Sequence, residues 1–298
     1  MFLSAPDVLG WVIMAASTSL EMMMISRFLA GVAAGGYLLS IQMFVGEIVS
    51  TDERGWLLCL TTPVSSLGLL IMYSSRELLP WHCSAAASAP LSAVMSVVLL
   101  FYWDTPLYYS IINNQQFARE SFRQYRGADA DLSDLETMLQ RSGRKLSVVE
   151  CVSDIFSNKQ SFKPVLILNS LYFLTLMCGK LVIDYYAVDV FIRFGYNMSE
   201  FSAGVVAASL SFLGTLFMII MVKHLTRKTV MVSTSSLMML SLVFLGLCSY
   251  SHNHDIVLLS QCDWLPITCV VSYLMAVNMG HSTLPNIFLS EFYPAQAR

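Results

Sequence analysis

Charge is scarce in this chain. Asp, Glu, Lys and Arg make up only 12% of its 298 residues, while 56% are hydrophobic; globular domains are about one-quarter charged. So small a charge content does not suit a soluble globular protein or a nucleic-acid binder with a basic face, and the expectation is no nucleic-acid partner. Patterned cysteine is missing too. Cys59, Cys83, Cys151, Cys178, Cys248, Cys262 and Cys269 form no CxxC pair, which removes zinc-ribbon and redox motifs, and they read as small apolar fillers. There is no nucleotide or nucleophile motif, and no cluster of His, Asp and Glu at a shared depth. The expectation is therefore a non-enzyme with no cofactor and no metal. His252-Asn253-His254-Asp255 holds potential metal ligands, but a solvated loop accounts for it more economically. Nor does Met1-Phe2-Leu3-Ser4 provide the basic start of a signal peptide.

Long apolar runs fill the sequence instead. A bilayer core takes about 20 apolar residues of helix. Trp56 to Ser75, Pro80 to Trp103, Pro164 to Ile192, Phe201 to Val222, Thr229 to Tyr250 and Trp264 to Phe292 all meet that length. Leu20 to Ile48 does so around Glu21, Arg27 and Glu47, and Val8 to Thr18 is a short, ragged first span. The fold class is all-α: a polytopic membrane protein of about eight transmembrane helices, with the lipid bilayer as its surroundings. Residues 104–163 are the only long charged stretch. They divide the chain into a half-bundle of four spans at 1–103, a cytosolic helical loop at 104–163, and a second half-bundle of four spans at 164–298.

Lys and Arg set the orientation. With the long loop cytosolic, thirteen of the seventeen fall on that side, from Arg54 through the loop to Lys223, Arg227, Lys228 and Arg298. Arg76 and Arg193 face the other way, while Arg27 and Lys180 lie within spans. Both termini are then cytosolic in an integral, plasma-membrane protein. Trp56, Trp81, Trp103 and Trp264 stand at span ends, where interfacial anchors belong. The sequon Asn197-Met198-Ser199 is on the outer side, too near two membrane ends to favour glycosylation.

Two short segments recur. Glu47 to Arg54 leaves the second span and Glu291 to Arg298 leaves the eighth, each reading Glu-x6-Arg. Equivalent depth, six helices apart, implies a six-helix unit repeated in parallel orientation, as in many secondary transporters. The eight spans then correspond to the middle of a twelve-helix arrangement. In the loop, Gln115 to Arg126 has amphipathic character, and Ser133 to Glu136 and Ser147 to Glu150 match capping boxes. Short cytosolic helices that latch the two halves are expected there.

These residues resemble the sugar-porter branch of the major facilitator superfamily. Arg27-Phe28-Leu29-Ala30-Gly31, continuing through Gly35 and Glu47 to Arg54-Gly55, is similar to the family's fourth-helix signature. Gly280, Pro285, Glu291 and Pro294 resemble its tenth-helix signature, Gly-x-Gly-Pro-x-Pro-Trp followed by Glu and Pro. Asp104-Thr105-Pro106 resembles the segment after the sixth helix, Gly179 with Tyr185-Tyr186 the seventh helix, and Val222 to Lys228 a degraded form of the basic turn. The resemblance implies a partial major facilitator fold matching helices three to ten, and transport of a small polar solute by alternating access. It also implies an inner charge network of Glu47, Arg54, Arg227, Lys228, Glu291 and Arg298 that acts as a switch, not a catalyst. Lys223 replaces an Asp of the family's turn.

The sequence departs from the family where solute binds. Family Gln residues give way to Thr62, Thr175 and Leu176, an Asn to Leu181, the tenth-helix Trp to Asn286 and the fourth-helix Pro to Gln42. Losing amides and an indole removes partners for sugar hydroxyls, so hexose should bind poorly. The polar groups left as substrate-binding candidates are Thr62, Thr175, Lys180, Asp184, Asn278, Ser282 and Asn286, with Arg27 and Thr283 also polar in these spans. Lys180 and Asp184 lie four apart on one helix face. They are either a self-neutralised pair or a site for a charged or zwitterionic solute. Two readings stand: a carrier for a sugar-like or charged polar solute, or a non-transporting relative or partial gene product with a regulatory role or none. Proton coupling is open.

Overall fold

The computed structural model describes residues 3–49, 51–127, 135, 159–193, 199–253 and 264–292. Twelve α-helices and one π-helical turn account for nearly all of them, and no strand occurs among the described residues. The helices sort into two compact units. The first contains residues 1–54, 78–165 and 290–298; the second contains 55–77 and 166–289.

In the first unit, α1 (Ser4–Ala15) packs on α2 (Leu20–Ile48) and α4 (Trp81–Phe101). The first helix is twelve residues long and begins earlier than the apolar pattern suggested. Pro6 and Asp7 fall in its first turn, where a missing N–H and a negative charge both suit a helix start. It ends where the Ser17 hydroxyl donates back to the Met14 carbonyl at 2.8 Å. Asp7 is not stranded at bilayer depth, since its Oδ2 accepts from the Ser92 hydroxyl of α4 at 2.5 Å. Ser19 caps α2 by accepting from the Met22 amide.

Beyond α4 come α5 (Pro106–Ile111) and α6 (Gln115–Arg126), the latter over the bounds its amphipathic sequence suggested. Thr105 and Asn114 are their side-chain caps. Buried Ala118, Ser121 and Phe122 turn α6 onto the ends of the long helices. The Arg126 Nε donates to the Ile48 carbonyl at 2.7 Å, closing the end of α2. The Tyr125 hydroxyl donates to the Trp103 carbonyl at 2.5 Å, and Ser121 to the Asp104 carbonyl at 2.7 Å. Burial, with Asp104 second, pushes the Tyr125 phenol above its ordinary pKa, keeping that donor in place. The capping-box segments at 133–136 and 147–150 fall in a region of which only residue 135 is described.

The second unit holds α3 (Thr51–Ser75) from Gly55 onward, α7 (Lys159–Met177) from Leu166, α8 (Lys180–Arg193), α9 (Glu200–His224), α10 (Arg227–Asn253), α11 (Trp264–Ala276), the π turn Val277–His281, and α12 (Leu284–Phe292) to Leu289. Tyr273, Ala276 and Val277 pack with Met238, and Ala203 packs with Val270 and Leu274, to form its core. Pro63 inside α3 has no N–H, which deprives the Cys59 carbonyl of its amide partner. The Thr62 hydroxyl replaces that partner at 3.0 Å, which matters where no water can.

Two expected spans are divided. Pro164 to Ile192 breaks into α7 and α8 at Gly179, whose φ of +80° is a conformation side chains other than glycine's resist. Trp264 to Phe292 contains the π turn, where the Ser282 amide reaches back to the Val277 carbonyl at 3.0 Å. Gly280 sits in that turn, and a Cβ there would lie 2.9 Å from the Thr234 Cβ of α10. Among the described residues, five helices are long and apolar enough to cross a membrane: α2, α3 from Gly55, α4, α9 and α10.

Candidate functional site

The polar residues of the second unit converge on the helix that carries the π turn. Along it, Asn278, Ser282 and Asn286 form a ladder at four-residue spacing, so all three share a face. The Ser282 hydroxyl donates to Asn278 Oδ1 at 3.2 Å, and Asn286 Nδ2 donates to the Ser282 carbonyl at 3.4 Å. Asn278 Nδ2 donates in turn to the Leu274 carbonyl at 2.9 Å.

Three neighbouring helices bond to this ladder or the residues between its rungs. From α7, the Tyr172 hydroxyl donates to Asn286 Oδ1 at 2.8 Å, and Thr175 lies 3.4 Å from His281 Nδ1. From α10, Ser235 lies 2.9 Å from His281 Nε2. From α3, the Thr62 and Thr283 hydroxyls are 3.0 Å apart. Proton counting orders the network. Ser235 gives its proton to the Met231 carbonyl at 2.6 Å, so it accepts from His281 Nε2. His281 Nδ1 then accepts from Thr175. Thr62 gives its proton to Cys59, so Thr283 donates to Thr62.

Thr175, Asn278, His281 and Thr283 are all buried. Half-buried Lys180, at the start of α8, is close enough for its charge to act on His281. The arrangement is a partly buried set of alternating donors and acceptors, able to exchange partners with a hydroxylated or amide-bearing solute. No group of three or more His, Cys, Asp or Glu able to hold a metal occurs among the described residues.

The structure brings together Thr62, Thr175, Asn278, Ser282 and Asn286 of the residues expected from sequence. Half-buried Lys180 acts on His281 through its charge, and the Asp184 side chain lies outside the described residues. Sequence reading missed His281, Tyr172 and Ser235 as site members. Each had a signal: His281 sits inside the tenth-helix signature, Tyr172 is three residues before Thr175 on one face, and Ser235 belongs to the polar run Ser233–Ser236 in an apolar span.

Of the expected charge network, Glu47 is described on α2, and exposed Lys228 and half-buried Arg227 begin α10. A Cβ on Gly55 would lie 3.1 Å from the Arg227 guanidinium, so that glycine leaves the cation room against α3. The side chains of Arg54 and Glu291, and all of Arg298, lie outside the described residues.

The chain resembles known proteins over nearly its whole length. The sequence profile of the family described as Sugar (and other) transporter matches residues 1–298. A Facilitated trehalose transporter Tret1 of Anopheles gambiae is 25% identical over 99% of this chain and 37% of its own length. A Tret1-2 homolog of Drosophila simulans is also 25% identical, over 99% of this chain and 61% of its own. The chain thus spans between about a third and three-fifths of these relatives. Among solved structures, the major facilitator proton:xylose symporter XylE bound to 6-bromo-6-deoxy-D-glucose superposes with a TM-score of 0.80 at 17% identity, covering 99% of this chain and 66% of that one. A partially occluded inward-open XylE from E. coli gives 0.74 at 16% identity, covering 99% and 68%. With five membrane-length helices and no strand among its described residues, and matched end to end by that profile, the chain belongs to the Sugar (and other) transporter family and carries a partial major facilitator fold.

Proposed function

We propose that this integral membrane chain serves a carrier that moves a small polar solute by alternating access, the solute bonding to the polar ladder around His281. The observation that carries the reading is a network of hydroxyl, amide and imidazole groups that joins four helix segments inside an apolar unit. Membrane helices exclude such groups unless they pair or line a pathway. The named relatives, trehalose transporters and a xylose symporter, favour a sugar-like solute. The short Thr, Ser and Asn side chains instead favour one smaller or less hydroxylated than glucose or trehalose. Lys180 and Asp184 would admit a charged or zwitterionic solute as well. The family resemblance and the lysine and arginine bias support a plasma-membrane location with both termini and residues 104–163 cytosolic. They also support Glu47, Arg54, Arg227, Lys228, Glu291 and Arg298 as gating charges.

A non-transporting role is the second reading, and one observation favours it: the ladder groups already bond to one another, so any solute must displace those bonds. The two separate in sealed liposomes containing only this chain, by counterflow of a panel of labelled sugars, polyols, amino acids and small acids. Saturable, competable exchange of one panel member is expected, with glucose and trehalose at background. Background rates for the whole panel would leave the non-transporting reading. Topology is checked independently by labelling single cysteines placed at Ser142 and Glu77, which should react from opposite sides.

A further inference from the structure

We propose that α5 and α6 form a membrane-surface wedge in which Arg119 and Arg123 bind the phosphate of an acidic phospholipid. The proposal rests on the first unit and is independent of the solute pathway. Its first support is position. α2 and α4 are both membrane-length helices, and α6 ties down the C-terminal ends of both, through Arg126 to the Ile48 carbonyl and Tyr125 to the Trp103 carbonyl. A short helix fastened across two span ends lies at the headgroup level of that membrane face.

Its second support is the division of labour among the arginines of α6. Arg126 faces inward, its guanidinium 4.9 Å over the Phe122 ring while it bonds Ile48. Arg119 and Arg123 are exposed and one turn apart on the outward face. They border a cleft of about 350 Å³ lined, among the described residues, by Gln115, Gln116 and Glu120 as well. Glu120 accepts from Gln116 Nε2 at 3.2 Å. Two guanidinium forks at one cleft match a phosphodiester better than a point charge would.

Its third support is apolar. Tyr108, Ile111, Ile112 and Phe117 are 49%, 43%, 48% and 42% exposed on the same pair of short helices. Phe117 stacks on Tyr109 at 5.7 Å and lies 5.8 Å from Trp103, so the edge is held rigid. A surface with the arginines of α6 beside the exposed aromatic and aliphatic groups of α5 and Phe117 suits the boundary of a phospholipid layer, where phosphate and acyl chain meet. Free phosphate would satisfy the arginines but leave Ile111 and Ile112 in water.

The test uses the full chain purified in detergent and offered phosphatidylserine and phosphatidylcholine in equal amounts, with retained lipid counted by native mass spectrometry. Wild type should retain phosphatidylserine preferentially. Arg119→Gln alone should weaken that preference about fivefold, and Arg119→Gln with Arg123→Gln by up to about 25-fold, at about one kcal/mol for each basic residue near an acidic surface. Ile111→Ser with Ile112→Ser should lower retention of both lipids. Inorganic phosphate at 10 mM should leave the retained lipid in place. Equal retention of the two lipids by wild type, a preference unchanged in the glutamine variants, or complete stripping by inorganic phosphate would each overturn the proposal, the last by reducing the site to one for the free ion.

Discussion

The two units use polar groups differently. In the first, two bonds close helix ends, Arg126 with Ile48 and Tyr125 with Trp103, and only single short contacts tie helix to helix along their length, Asp7 of α1 with Ser92 of α4 and Ser26 of α2 with Met14 of α1, among the described residues. Inside its longest helix, Gln42 is buried with an Oε1 that has no partner among the described residues. In the second, bonds link mid-helix positions of α3, α7 and α10 to one polar helix. Burial follows the same division: 11% of the most apolar window of α2 and of α4 is buried, against 28% in α9. The first unit reads as a frame held at its edges with broad apolar faces. The second spends buried polar groups on specificity, which in a membrane constrains which helices can neighbour one another.

Crowding the second unit should have the largest effect. Gly280→Val forces a side chain onto Thr234, and overpacking of that kind costs about 3 kcal/mol. Gly31→Ala in α2 meets nothing within 4 Å and should be neutral or stabilising by up to about 1 kcal/mol. Thermal unfolding of both variants in one detergent measures the contrast, and similar midpoints would break it.

His281→Ala comes next. It leaves buried Thr175 without its partner and takes one of the two bonds of Ser235, which keeps the Met231 carbonyl, and should cost about 2 kcal/mol, within the range for a buried group left unpaired. Tyr125→Phe in the first unit removes one edge bond and should cost about 1 kcal/mol. If His281→Ala costs no more than Tyr125→Phe, the ladder is not the constraint it is taken to be. Gln42→Leu tests the frame from the other side. Removing a buried carbonyl oxygen that lacks a partner among the described residues should raise the unfolding midpoint, by about 1 kcal/mol in stability.

Much of this contrast was legible in the sequence, and what was not has physical reasons. Apolar runs and charge placement locate membrane helices because both follow from the cost of burying charge. The bounds of α6 were readable because its period and its cap at Asn114 agree. The break at Gly179 was harder, since a lone glycine inside an apolar run is common and its positive φ depends on the tertiary setting. The π turn was harder still, because one extra residue in a helix leaves the hydrophobic pattern nearly intact. Thr62, Thr175 and Asn286 could be named from the positions they fill, but their partners could not. Thr62 and Thr283 are 221 residues apart, and nothing local couples them.

The smallest effect belongs to the ion pair of Arg76 and Glu200, 3.2 Å apart between the end of α3 and the first turn of α9. It looks like a clasp, because the Tyr73 ring nearby fills the space where a Cβ on Gly204 would stand, 2.7 Å from the nearest ring carbon. The side chains are 57% and 67% exposed, however, and solvent and salt screen most of the attraction. Arg76→Ala should therefore cost less than about 0.5 kcal/mol, and 0.5 M salt should erase even that. Gly204→Leu should cost several times more, since it must push the Tyr73 ring aside. Unfolding midpoints of the two variants at low and high salt decide between charge and shape. A loss above 1 kcal/mol for Arg76→Ala that persists in salt would mean that the second unit is held at its rim as well as through its middle, and the contrast between the units would weaken.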